Sequence, residues 1–359
     1  MSSTRPGPTW AGTRAVAAAQ LRHRRRTSRW VRALVVWCGV LAGVLLVATA
    51  LLPWLLPPIN SYSGIAAGPG VPRFGPFPEI EVPVGPTLFA VVALTMLAGG
   101  VLVGARLVAT SPNELPELPG SSPADRTIGT VLASWTAACA LVVVGIPFLA
   151  LTLVAGAGPV AAVPRVVLVV AALLAAVCGI AQGLRTPDRS PTSVVRLTVG
   201  AVVATSLCTP LLVALATPLV TTTGPVQVYT VLASSPTNTD NPTCGYEPAV
   251  RRATHTERSW WLQVINPVVV LADAAGTSDP GPSMRDRVSW AVDPLDGVRR
   301  SVRLLRAGSP LQLDECYSPA SDASIEQSVS TTAFWGWGLI LWALLGAGGV
   351  ALSVRRQRV

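Results

Sequence analysis

Six stretches of this chain run for the length of a bilayer-spanning helix without a single Asp, Glu, Arg, Lys or His: 33–56, 86–105, 128–156, 166–184, 197–220 and 333–354. A helix crosses the hydrocarbon of a membrane with about 20 apolar residues, so each stretch is a candidate span. The rest of the composition points the same way. Of 359 residues, 50% are hydrophobic and 13% charged, outside the range of soluble globular domains. The expected fold class is an all-α polytopic membrane protein with six transmembrane helices. The first stretch is longer than the roughly 7–15-residue core of a cleavable signal peptide. Trp54, Trp335 and Trp337 stand at the edges of spans, where an indole suits the headgroup layer.

Arginine placement sets the expected orientation. Residues 1–32 hold eight arginines and no acid, the chain ends in "RRQR", and Arg185, Arg189 and Arg196 join spans four and five. The link between spans one and two carries only Arg73. Short basic segments stay in the cytoplasm, so both termini are expected inside a plasma membrane (N-in/C-in). Four segments follow: 1–32, a cytoplasmic basic start with an interfacial helix; 33–220, spans one to five; 221–332, a large extracytoplasmic segment; and 333–359, the sixth span and its tail. The 221–332 segment has nine arginines and twelve acids. It is therefore net acidic and a poor ligand for nucleic acid.

Cysteine usage fits this topology. Cys38, Cys139, Cys178 and Cys208 fall inside spans, whereas Cys244 and Cys316 fall in the segment expected outside. An oxidising compartment favours a Cys244–Cys316 disulfide. A metal site made by these two with His255 is the alternative, but it lacks ligand spacing.

A P-loop and an intramembrane histidine pair are excluded, and an ion-coupled carrier is disfavoured. The chain contains no lysine, and a P-loop needs one to reach the terminal phosphates of ATP. His23 and His255 are the only histidines and are expected on opposite faces of the membrane. No ionisable residue lies in any of the six apolar stretches, where ion-coupled carriers keep their relays. Ser or carboxylate chemistry is not excluded by these absences, but what is left is a membrane body without an engine, expected to have no catalytic residues and no cofactor or metal of its own.

The extracytoplasmic segment carries its own signals. "DPLDGVRRSVRLLRAG" (293–308) reads as a helix capped by Asp293, with Pro294 in its first turn, and ended by Gly308. Leu295, Val298, Val302 and Leu305 recur at helical spacing, which makes it a surface helix resting on the membrane or the spans. Before it stands "RSWWLQVINPVVVLADAAG" (258–276), an apolar run too short to span and interrupted at Asn266-Pro267. The internal stretch "SPNELPELPG" (111–120) is broken by proline.

With these residues in view, the chain resembles the membrane subunits (permeases) of ABC transporters of the type-2 exporter class, in the form common in high-GC actinobacteria. The Trp-Trp, Asn-Pro, Val-Leu-Ala-Asp-Ala run is the most specific likeness. "SPADRTIGTVLASW" (122–135) and "CGIAQGLRTPDRSPTSVVRLTVGAVVATSLCTPLL" (178–212) are similar to the entries of spans three and five.

The resemblance implies an exporter subunit that forms the substrate path. It would be powered by a separate cytoplasmic ATP-binding subunit, which alone binds ATP, and paired with a second copy or a related permease. Contacts with the ATPase are expected from Arg24, Arg25 and Arg26 of the basic entry helix and from Glu114, Glu117 and Asp125 of the internal loop. The external signature would dip into the outer leaflet. Trp260 and Trp261 would sit at headgroup level, Asn266 and Pro267 would break the helix, and Asp273 would return the chain to water. A buried helix of a small folded external domain is the other reading of that run. Two departures from the family pattern stand out: the proline-broken coupling stretch, and Thr130 where the family has lysine after the glycine entering span three. The alternative function is a membrane-anchored scaffold or sensor that binds a partner through 221–332.

Overall fold

The computed structural model describes residues 8–26, 28–55, 84–111, 121–156, 160–231, 244–276, 293–308, 312–314 and 332–357. In chain order the elements are α1 (Trp10–Arg26), α2 (Ser28–Leu55), α3 (Gly85–Ala109), α4 (Pro123–Val154), α5 (Ala162–Leu184), α6 (Pro191–Ala216), β1 (Thr221–Val231), β2 (Cys244–Thr254), α7 (Pro267–Ala275), α8 (Pro294–Ala307), β3 (Gln312–Asp314) and α9 (Trp335–Arg356). Among the described residues six helices are long and apolar enough to cross a membrane: α2 to α6 and α9. They coincide with the six apolar stretches of the sequence. The chain is a multi-pass membrane protein by this measure.

The expectation of an all-α fold is corrected by a three-stranded sheet. β1 pairs antiparallel with β2 from Thr221↔Thr254 to Val231↔Cys244, and parallel with the short β3. β1 is rich in β-branched residues (Thr221, Thr222, Thr223, Val226, Val228), which pack well on a pleated surface. Tyr229 and Tyr246 face each other in register, with ring centroids 4.9 Å apart.

The chain folds as two compact units. The first contains α1 to α5, α6 up to Gly200 and α9 from Trp342. Within it α3 and α5 are the central helices: 61% and 56% of their apolar windows are buried, against 6% for α2. A hydrocarbon solvent does not drive such helices together, so close packing depends on small residues. Gly179 and Gly183 of α5 lie directly against Gly346 and Gly349 of α9, so that a Cβ at Gly183 would come within 2.6 Å of the Gly349 Cα. Hydroxyls inside the spans return to carbonyls of their own helix, as Thr136 does to Leu132 at 2.8 Å and Thr198 to Val194 at 2.8 Å. This satisfies them where no water is present.

The basic entry helix rests one face on another helix of the chain. α1 ends at Arg26 and packs on α4, with Thr13, Val16, Ala17 and Gln20 buried. Its four buried residues recur every three or four positions, a single stripe that needs a protein neighbour.

The second unit comprises α6 from Ala201, the sheet, α7, α8 from Leu295 and α9 up to Leu341. Its core joins Val264, Val269, Val302 and Phe334, with Trp260 and Val298 packed against them. Pro294 opens α8, and Gly308, at φ +79°, closes it, as the sequence indicates.

The glycine crossing generates a direct test. Gly349→Val should lower the unfolding midpoint in detergent by the equivalent of about 3 kcal/mol, because the obstacle is backbone and cannot rotate away. Gly348→Val, where an added Cβ meets nothing within 4 Å, should leave the midpoint unchanged. Equal effects of the two would contradict the crossing.

Candidate functional site

The short helix α7 is anchored at both ends, and its sequence explains how. Asn266 is its cap: the side-chain oxygen accepts from the backbone N–H of Val268 (3.0 Å) and Val269 (3.4 Å). Pro267 follows at the first helical position, where no N–H is needed. The Asn266 amide also donates to the Ser206 carbonyl at 3.0 Å and the Thr209 hydroxyl at 2.9 Å, both in α6. One side chain therefore starts α7 and ties it to a spanning helix.

The other end is held by Asp273. Its side chain is fully buried, and four donors meet it. Arg303 of α8 reaches one carboxylate oxygen through Nη2 at 2.8 Å and Nε at 3.2 Å. The backbone N–H groups of Phe334 and Trp335 reach the other at 2.7 and 3.0 Å. These two N–H groups open α9, so a carboxylate there also meets the positive end of the helix dipole. Asp273 is thus not the residue that returns the chain to water: buried with a full set of donors, it joins α7, α8 and α9.

The arginines of α8 are placed differently from the surface expectation as well. Arg299 and Arg303 are buried, and Arg299 and Arg300 both pair with Asp296. Trp260 lies edge-on to Phe334 at 6.0 Å and beneath Arg306, whose guanidinium carbon is 5.0 Å from the ring. Trp261 is exposed, with its indole N–H donating to the Arg258 carbonyl at 2.8 Å.

In the first unit, the predicted coupling loop leaves from the end of α3 and returns at the start of α4. Glu114 and Glu117 lie outside the described residues, but both stems are held. Arg24 of α1 donates to the Leu107 carbonyl at 2.9 Å and to the hydroxyls of Ser111 and Ser134 at 2.9 and 3.2 Å. Arg185, just past α5, donates to the carbonyls of Val108 and Ser111. Cations at these last carbonyls satisfy acceptors that the helix itself cannot. Burial pushes both guanidinium groups below their ordinary pKa.

The returning stem is a capping box: Ser122 and Asp125 bond each other's backbone N–H. Asp125 also accepts from the Thr9 N–H at 2.8 Å and the Thr13 hydroxyl at 3.0 Å, which brings in the start of α1. Arg24 and Asp125 therefore work inside the subunit, whereas Arg25 and Arg26 are exposed.

Sequence reasoning missed Arg185 and Arg303 as anchors. The hydropathy pattern assigns arginines to surfaces, and only the fold shows which carbonyl or carboxylate each one meets. The Cys244–Cys316 pairing lies outside the described residues because Cys316 does. Among the described residues no group of His, Cys, Asp and Glu is gathered as a metal site. The chain matches no family model, no curated protein and no solved structure.

The Asp273 anchor is open to a double-mutant cycle. Asp273→Ala leaves Arg303 buried without its carboxylate and should cost roughly 3–5 kcal/mol, read as a fall in the detergent unfolding midpoint. Asp273→Ala combined with Arg303→Met should cost clearly less than the sum of the two single changes. Simple additivity would show that the pair does not act as one unit.

Proposed function

We propose that this chain is the membrane-spanning permease subunit of an ATP-driven transporter of the ABC exporter class. It would lie in the cell membrane with both ends in the cytoplasm, and α2 to α6 and α9 would build the substrate path. The resemblance read from the sequence supports this, and so do the six helices of membrane length. A chain without lysine cannot supply a P-loop, so its energy would come from a separate ATP-binding subunit.

The observation that carries the reading is the anchoring of the 112–120 stems. A loop that takes force from a motor needs stems that pass the force on rather than absorb it. Arg24 and Arg185 fasten the α3 stem to α1 and α5, and Asp125 fastens the α4 stem to α1. In this reading the ATPase engages Glu114, Glu117, Arg25 and Arg26. Its motion reaches α1, α3, α4 and α5 together. The 221–332 segment would then face the outside, where the exposed Trp261 meets the outer leaflet, while α7 is a buried helix of that segment. A class-typical transporter has two membrane halves, so a second copy or a related permease completes it.

Affinity purification in mild detergent from native cells, with identification of the bound chains and an ATPase assay, tests the proposal. The expected result is a P-loop subunit with ATPase activity, together with a second permease chain. Arg25→Glu with Arg26→Glu should reduce recovery of that subunit by about tenfold, as reversal of contact charges does at charged interfaces, without changing the unfolding midpoint. Recovery of this chain alone, or with extracytoplasmic proteins only, rejects the permease and favours the scaffold.

A further inference from the structure

A cleft of about 360 Å³ opens in the second unit beside the start of α9. Trp260, Trp261, Phe334, Trp337 and Leu341 line it, together with Arg306 of α8. Its polarity changes along the helix. Arg306 donates to the Thr332 carbonyl at 3.1 Å, which holds the guanidinium beside the chain that leads into α9. Leu341 lies six residues past Trp335, the first of α9, or about 9 Å along the axis. Because α9 is one of the six helices of membrane length, the cleft is charged where this span begins and apolar inside it. Indoles suit that boundary.

The charge at the polar end is unmatched. α8 carries four arginines. Asp296 pairs with Arg299 and Arg300, and Asp273 pairs with Arg303. Arg306 has no such acid: among the described residues its polar contacts are the Thr332 carbonyl and the face of Trp260, whose ring centroid is 5.0 Å away. Neither brings a compensating charge, and no Asp or Glu among the described residues lines the cleft. The apolar part is open as well. Trp261, Trp337 and Leu341 keep 60%, 67% and 40% of their surface uncovered.

We propose that this cleft binds an anionic glycerophospholipid of the bilayer, with its phosphate on Arg306 and an acyl chain along Trp337 and Leu341. An arginine fork matches phosphate oxygens in pairs, and basic sites beside transmembrane helices take anionic headgroups. A zwitterionic lipid would bring a second cation next to Arg306. A sugar would leave the apolar end unfilled. Only an anionic amphiphile matches both ends in the order in which α9 presents them. This rests on α9 being a span and is independent of the transport reading.

The test uses the purified full-length protein, stripped of lipid in detergent, with binding followed by native mass spectrometry. The probes are dioctanoyl phosphatidylglycerol, dioctanoyl phosphatidylcholine and glycerol 3-phosphate. The anionic lipid should bind about fivefold more tightly than the zwitterionic one, the usual gain from one arginine at headgroup level, and glycerol 3-phosphate should not displace it. Arg306→Gln should abolish the preference and Arg306→Lys, which keeps the charge, should retain most of it. Arg355→Gln, which removes a cation in the last turn of α9, should leave it unchanged. Trp337→Ala should weaken both lipids alike.

Equal binding of the two lipids, binding of neither, or a preference that survives Arg306→Gln overturns the proposal. Displacement by glycerol 3-phosphate at the lipid's own concentration overturns the lipid assignment, because a free anion would then suffice. Should Arg306→Gln fail to fold, a phosphatidylglycerol with a photoreactive diazirine in its acyl chain decides on the wild-type protein. Cross-links within residues 334–341 support the site, and cross-links confined to other segments overturn it.

Discussion

Asp273 has no water to face, and the second unit is arranged around what replaces it. Four donors converge on one carboxylate: two from Arg303 and two from the first turn of α9. Removing a carboxylate from water is costly unless its charge and lone pairs are met inside. Here they are met by two other helices, α8 and α9. The beginning of α9, the position of α8 and the end of α7 therefore depend on a single side chain. Asn266 does the corresponding work at the other end of α7, where it caps the helix and reaches α6. A nine-residue helix is too short to be stable alone. It persists because both termini are satisfied by groups that also hold spanning helices.

The same logic governs the first unit, with the signs reversed. The last carbonyls of α3 are met by Ser111 just past the helix and by two arginines, Arg24 from α1 and Arg185 from beyond α5. Asp125 serves the amide end of α4 and reaches back to α1. Charged side chains in this protein are thus concentrated at helix ends, with the apolar stretches left to packing. Where backbones must approach most closely, at Gly179, Gly183, Gly346 and Gly349, there is no side chain at all.

Much of this was legible from the sequence. Uninterrupted apolarity located all six long helices, because in hydrocarbon every backbone polar group must bond within its own segment. Pro294 and Gly308 bounded α8 through local backbone chemistry, which neighbours rarely overrule. The sheet escaped notice because the alternation of Val226, Val228 and Thr230 is short and lies within a loop-like composition. Asp273 was misjudged for a different reason. A lone carboxylate after an apolar run looks like an exit to water, and nothing local announces that Arg303, thirty residues later, returns to it. Arg24 and Asp125 were read as partner contacts for the same cause: exposed and buried charges look alike until the fold brings their partners together.

The permease reading depends on one arrangement: six crossings, both termini on the cytoplasmic side and residues 221–332 on the other. Single cysteines at Ser2 and Asn238, in a chain otherwise free of cysteine, test it with a membrane-impermeant thiol reagent. In intact cells Asn238→Cys should label and Ser2→Cys should not, while both should label once the membrane is permeabilised. Labelling of Ser2→Cys but not Asn238→Cys in intact cells would contradict the arrangement, and with it the placement of the coupling loop, the outer α7 and the permease function.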